Sequence, residues 1–282
     1  MADRIALVTG GLRGLGKSMS FGLARAGHPV MAVGHIESDV AEIEAEAASL
    51  QLRDRLRPLV ADLRRPEECD RVVAETRARF GAVDILVNNA GLTFTYIDPP
   101  RFSRGTIQKF FEVGDEIIDN VITTNYLAAD RLSRRVAPAM IEAGWGRIVN
   151  VTTKLDTMNR TGTHPYGASK AALELATEVW AKDVAGTGVT INIVNPGAGA
   201  NTPGMAEEAK IAAAEGRFPR LVEPDEMVPP LLYVVSRDAD RVNGYRFDAN
   251  AWDAALPPAE AASRAGRPAG FILHPPEQLD HR

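Results

Sequence analysis

Short apolar, β-branched runs alternate along this chain with amphipathic stretches of helical period. The runs lie at 4–8 (RIALV), 29–33 (PVMAV), 56–61 (LRPLVA), 84–87 (DILV), 147–151 (RIVNV), 189–194 (VTINIV) and 245–249 (YRFDA). Helical periodicity occupies 15–26, 38–50, 66–80, 114–143, 166–185 and 224–236. Continuously apolar strands need cover on both faces, and strands that alternate with helices pair in parallel. The pattern therefore predicts an α/β fold: a doubly wound parallel sheet of about seven strands, with helices on both faces. Such a sheet binds ligands beyond the carboxyl ends of its strands. No repeat or linker divides the chain. The expectation is one domain over 1–252 and an extension over 253–282, rich in Ala, Pro and Gly, that is irregular or touches another subunit. Residues 92–113 form a long aromatic-bearing connection, of a length that usually serves function.

Composition narrows the class. Of 282 residues, 45% are hydrophobic and 24% charged, as in an ordinary globular protein. The net charge of −5 and the scattered basic residues argue against nucleic acid or an anionic membrane as the main partner. Cys69 is the only cysteine, so neither an internal disulfide nor a cysteine-based metal site is available, and no metal is expected. The N-terminus MADRIALVTGG lacks the apolar run of a signal peptide, and no segment reaches the roughly 20 apolar residues of a membrane span. The expected location is cytoplasmic.

The first strand runs into TGGLRGLG, with Gly10, Gly14 and Gly16 where the chain turns into a helix. The first glycine permits the tight turn. The others let backbone amides approach a pyrophosphate at the positive end of the helix. In the first turn of an alternating α/β chain, this spacing points to dinucleotide binding and a Rossmann-type domain.

A second pattern is Tyr166 and Lys170 in HPYGASK, one helical turn apart and so on one face. A free Tyr titrates near 10 and is a poor proton relay at neutral pH; a cation nearby favours the phenolate. Each of these residues also has a plain structural reading, as helix start, cap or turn former. Their order, however, resembles the short-chain dehydrogenase/reductase family over residues 4 to about 250. Thr9-Gly10-x-x-x-Gly14-x-Gly16 comes first. Asp62-Leu63, Asn88-Asn89-Ala90-Gly91, Asn125, Thr152-Thr153, Tyr166-x-x-x-Lys170 and Asn195-Pro196-Gly197 follow in sequence. The resemblance implies hydride transfer between a nicotinamide cofactor and a secondary alcohol or ketone of small-molecule size. Tyr166 is then the acid/base, Lys170 lowers its pKa and holds the ribose, and Asn125 completes a proton path through water. The cofactor site implied takes in Gly10, Leu12, Arg13, Gly14, Leu15, Gly16, His35, Asp62, Leu63, Asn89, Ala90, Gly91, Tyr166, Lys170, Pro196, Gly197 and Thr202. A dinucleotide-binding protein of the same fold without turnover is the alternative. The helix from Tyr166 carries a small-residue face, Ala168, Ala171, Ala172, Leu175, Ala176 and Val179; part of it is expected to cover the sheet, and by resemblance the remainder pairs with the same helix of a second subunit, beside the helix at 114–143, giving a homodimer or homotetramer.

Two departures matter. Thr153 stands where the family usually has serine, so it orients the substrate oxygen, Thr152 shares that work, or the site is impaired. At the end of the second strand, where an acid would select NAD(H), stand Gly34 and His35. Gly34 leaves room for a phosphate, and His35 and Arg13 are available to bind it. The expectation is NADP(H) in preference to NAD(H).

Overall fold

A computed structural model describes residues 3–271. The strands are β1 (Ala6–Thr9), β2 (Val30–Gly34), β3 (Leu56–Val60), β4 (Ile85–Asn88), β5 (Gly146–Asn150), β6 (Val189–Asn195), β7 (Tyr245–Asp248) and β8 (Gly266–Pro268). The helices are α1 (Gly14–Arg25), α2 (Asp39–Ser49), α3 (Pro66–Arg79), α4 (Phe94–Ile97), α5 (Arg101–Arg104), α6 (Asp115–Ile122), α7 (Ala128–Glu142), α8 (Leu155–Met158), α9 (Tyr166–Asp183), α10 (Glu207–Ala214), α11 (Val228–Val234) and α12 (Pro258–Ala265). The sheet order is β3-β2-β1-β4-β5-β6-β7-β8. Seven strands are parallel, and β8 pairs antiparallel with β7, Phe247 opposite Gly266.

Alternation along each strand divides the core into two layers. Ala6, Val8, Ile85, Val87 and Val149 face the layer under α1, α2 and α11. Leu7, Leu86 and Ile148 face the layer under α3, α7 and α9. Each fully buried side chain of this size contributes roughly 1.5–3 kcal/mol. The order reverses between β1 and β4, which opens a crevice beyond their carboxyl ends.

Three features differ from the sequence reading. The sheet has eight strands, because the stretch from Ala254 contains α12 and β8 and adds an edge strand; residues 272–282 of the expected extension lie outside the described residues. The long helical stretch 114–143 is interrupted by a π turn at Thr123–Leu127, where Ala128 N–H reaches back to the Thr123 carbonyl. Such turns often mark functional positions. Finally, α9 covers the sheet with Ser169, Leu173, Glu174, Thr177 and Ala181, not with the small-residue face read from sequence. Of that face, Ala168, Leu175 and Val179 point outward, the last two each 47% exposed, and Ala171, Ala172 and Ala176 are half-buried. No described helix is long and apolar enough to cross a membrane.

Candidate active site

The crevice is built first by glycines. Gly10 and Gly14 have φ of +62° and +54°, a region that side chains with a β-carbon disfavour. A β-carbon at Gly16 would fall 2.0 Å from the Gly10 carbonyl oxygen, so the turn closes only on glycine. Asn89 Nδ2 donates to the carbonyls of Thr9 (2.9 Å) and Gly10 (3.2 Å), and Ala90 N–H donates to Thr9 Oγ1 (3.0 Å). The β1 turn is thereby fastened to the end of β4. Leu15 packs on the first core layer, and Leu63 is buried in the second. Thr202 lies over the turn, its Cβ 3.2 Å from where a Gly14 β-carbon would sit. On the other side, Gly197 (φ +72°) follows buried Pro196 and donates to Asn195 Oδ1 at 2.8 Å.

The far end of the crevice corrects one expectation. Gly34 leaves no open space: Leu12 folds back over it, with Cδ1 only 2.7 Å from where a β-carbon would stand. The position is glycine because Leu12, itself 3% exposed, needs that surface. His35 is exposed beyond it, and Arg13 is held by Asp39 at 3.5 Å. Both carboxylate oxygens of Asp62 accept from the Arg64 side chain, which pulls its pKa below the usual carboxylate value. Arg64 continues to Asn120 (2.8 Å), and Asn120 donates to the Tyr96 hydroxyl (2.8 Å).

The chemical groups gather at the middle. Asn125, on the π turn and buried, accepts from Leu92 N–H (2.7 Å) and donates to Ser169 Oγ (3.0 Å). Ser169 in turn donates to the Tyr166 carbonyl at 2.7 Å, so α9 is locked to the turn after β4. A β-carbon at Gly91 would lie 3.4 Å from both Asn125 Oδ1 and Lys170 Nζ, so bare backbone borders both groups. Lys170 is 3% exposed and donates to the Val151 carbonyl at 2.8 Å. Burial lowers its pKa to about 8.

Burial moves the Tyr166 phenol the other way, above its ordinary value, and the Thr153 hydroxyl facing it opposes that shift. Desolvation penalises the phenolate, and the Thr153 hydroxyl is the group that favours it.

The two threonines separate cleanly. Thr152 Oγ1 donates to Glu174 Oε2 at 2.9 Å, inside the protein. Glu174 and Arg246 are both wholly buried and form an ion pair at 2.7 Å. Arg246 also donates to the Thr153 carbonyl (3.0 Å) and to Asp248 (3.1 Å). The end of β5 thus hangs on a buried ion pair that leaves the Thr153 side chain facing Tyr166. Arg246 was not singled out from sequence, although a charged residue between aromatics in YRFD is an unusual strand residue and a usable signal.

The substrate side is lined from residues 92–113. The Phe94 ring lies 4.8 Å from the Tyr166 ring, tilted 53°. Arg101 stacks over Phe94 at 4.6 Å, and Phe110 stands 6.4 Å from His164. Gly204 of the segment after β6 accepts from Thr93 and Thr95, both at 3.0 Å, so that segment closes against this wall. Among the described residues no three His, Cys, Asp or Glu side chains group as a metal site would require.

The sequence profile described as short chain dehydrogenase matches residues 4–211. Nodulation protein G of Azospirillum brasilense is 34% identical over 258 residues, which is 89% of this chain and 98% of that protein. The 3-oxoacyl-acyl-carrier-protein reductase FabG of Vibrio cholerae is 31% identical over 253 residues, 89% and 97% respectively. The solved structure of an actinorhodin polyketide ketoreductase variant with NADPH superposes with a TM-score of 0.74 at 27% identity, over 86% of this chain and 93% of that one. These matches run through both the glycine turn and the Tyr166–Lys170 helix, and by their extent the chain belongs to the short-chain dehydrogenase family.

Proposed function

We propose that this chain interconverts a ketone and its secondary alcohol with NADP(H) in preference to NAD(H), and that Tyr166 is the proton donor to the carbonyl oxygen. The reaction class follows from the family: an NAD(P)-dependent oxidoreductase acting on CH–OH and C=O groups. The observation that carries the residue roles is the division of labour at the end of β5. Thr152 is engaged by Glu174, and Thr153 faces the Tyr166 phenol.

The glycine cradle fits a dinucleotide, because its backbone is exposed where β-carbons would obstruct it. Gly10, Gly14 and Gly16 would take the pyrophosphate. Lys170 and the backbone at Gly91 would border the nicotinamide ribose, and Pro196, Gly197 and Thr202 would close over it. The reduced nicotinamide, when bound, supplies the hydride. Tyr166 O–H then donates to the substrate oxygen as negative charge develops there. Thr153 Oγ1 donates a second hydrogen bond that fixes the carbonyl plane. Asn125 holds the Gly91–Leu92 turn and, through Ser169, the start of α9, so the phenol and the ammonium keep their spacing.

The NADP(H) preference is supported by the lack of a carboxylate at Gly34 and His35 and by the exposed His35 and Arg13 beside the end of β2. It agrees with the NADPH named for the solved ketoreductase. The outward stripe of α9, with Leu175 and Val179, supports a homodimer or homotetramer. The test of the reaction is turnover of a ketone panel with NADPH and NADH by wild type and Tyr166→Phe. Loss of about 10²–10⁴ in kcat with unchanged NADPH affinity is expected. Retained turnover in Tyr166→Phe would remove the proton-donor assignment. NADPH binding without turnover of any panel member by wild type would favour a binding protein.

A further inference from the structure

We propose that Arg101 and Arg160 form an anion-binding subsite at the mouth of this site, and that the substrate is a ketone or secondary alcohol carrying a carboxylate or a phosphate. This rests on the oxidoreductase reading and adds the chemical class of its substrate.

The Arg101 guanidinium lies 4.6 Å over the Phe94 ring, and that ring lies 4.8 Å from the ring of Tyr166. One aromatic side chain therefore separates a cation from the phenol. Arg101 is half-buried, yet it makes no ion pair among the described residues. The nearby acid, Asp98, is itself 5% exposed and paired with Arg104 at 2.7 Å. Burial and the like charge of Arg160 disfavour the Arg101 cation and outweigh the favourable charge of Asp98. Arg160 is exposed, and its acidic neighbour Asp156 is paired with Lys154 at 2.8 Å.

A protein with a net charge of −5 thus places Arg101 against the carbonyl of Gly162, two residues after Arg160, and pairs Asp98 and Asp156 with Arg104 and Lys154. A partly desolvated cation whose neighbouring carboxylate is paired elsewhere is unfavourable unless a ligand anion completes it. The arrangement is rigidly placed. Arg101 donates to the Gly162 carbonyl, and Ile107 packs on the bare Cα of Gly162 (φ +71°), so the 92–113 wall is pinned to the loop before Tyr166. The remaining N–H groups of a guanidinium suit the paired oxygens of a carboxylate or phosphate. The ligand spans two stacking steps of 4.8 and 4.6 Å. At about 1.5 Å per C–C bond, that corresponds to on the order of four to seven bonds between carbonyl and anion.

The experiment compares kcat/KM, with NADPH, for a series of methyl-ketone acids from 3-oxobutanoate to 9-oxodecanoate, for their methyl esters, and for 4-oxopentyl phosphate. Wild type should prefer an anion of intermediate length over its ester by about 10- to 150-fold, the worth of one charge-assisted hydrogen bond. The exposed-site variant Arg160→Gln should raise KM for the anions with kcat and the ester values nearly unchanged, and Arg101→Gln, which also loosens the wall at Gly162, should lower kcat/KM for the anions about 10-fold more than for the esters. Whether acid or phosphate responds more strongly identifies the anion. Equal wild-type rates for acids and esters would overturn the subsite. So would an equal loss for both in Arg101→Gln, which is the behaviour of a loop fastening through Gly162. Absence of turnover with every compound would instead remove the oxidoreductase reading beneath it.

Discussion

Thr152 gives its hydroxyl to Glu174 at 2.9 Å, and its neighbour Asn150 gives its amide to Thr177 at 2.8 Å, one helical turn further along α9. The two-residue period of β5 meets the three-residue spacing of the helix, and Thr152 continues the inward series of Ile148 and Asn150. Thr153 has the opposite orientation. Thr153→Val should therefore lower kcat by about 10²-fold or more while leaving the melting temperature nearly unchanged. Thr152→Val should keep the kcat of the folded protein but cost about 1–3 kcal/mol, since Glu174 loses a buried donor. Steady-state kinetics and denaturant titration of both variants check this. Loss of kcat in Thr152→Val alone would assign the roles the other way round.

Arg246 and Glu174 form a wholly buried pair, and the two sides of it are not equivalent to their joint removal. Arg246→Met leaves a carboxylate without its counter-ion and should destabilise by about 3–5 kcal/mol. The double variant Arg246→Met with Glu174→Leu should recover much of that in denaturant unfolding. It should nevertheless show lower kcat than wild type, because Arg246 no longer holds the Thr153 carbonyl. A double variant as unstable as the single one would mean that packing, not charge pairing, governs this region.

Lys170 has a folded-state pKa of about 8, below the 10.5 of a free lysine, because of burial. Between those values the unfolded chain binds more protons than the native one, so stability rises with pH across roughly 8 to 10.5. Below pH 8 both states are protonated and the full penalty, on the order of 3 kcal/mol, is present. Denaturant midpoints from pH 7 to 10 should rise more steeply in wild type than in Lys170→Met. Parallel curves would show that Lys170 titrates normally in the folded protein.

Leu175 and Val179 stand on the outward stripe of α9, each 47% exposed. Two apolar side chains at this spacing would suit the self-complementary patch that the proposed homodimer or homotetramer requires. Leu175→Glu with Val179→Glu should shift the sedimentation coefficient from that of a dimer or tetramer to that of a monomer, at unchanged far-UV circular dichroism. A wild-type protein that sediments as a monomer at micromolar concentration would contradict the assembly.

The sequence by itself determined whatever depends on neighbours a few residues apart. Alternating strand and helix periods settle a parallel, doubly covered sheet. Gly10, Gly14 and Gly16 declare a close backbone turn, and the four-residue spacing of Tyr166 and Lys170 declares a shared helical face. Only the tertiary structure decided the rest. The parity of Thr152 and Thr153 is readable along the strand, but which parity faces inward depends on α9 packing against β5. The room over Gly34 is closed by Leu12, a residue from another element, and an eighth strand comes from a stretch whose composition suggests none. Arg101 reaches Tyr166 only through Phe94, and the buried Arg246 meets Glu174 only where β7 and α9 converge. These relations join residues distant in the chain. Local periodicity encodes which face a side chain takes, whereas burial, ion pairing and the shift of a pKa depend on what the rest of the fold brings against that face.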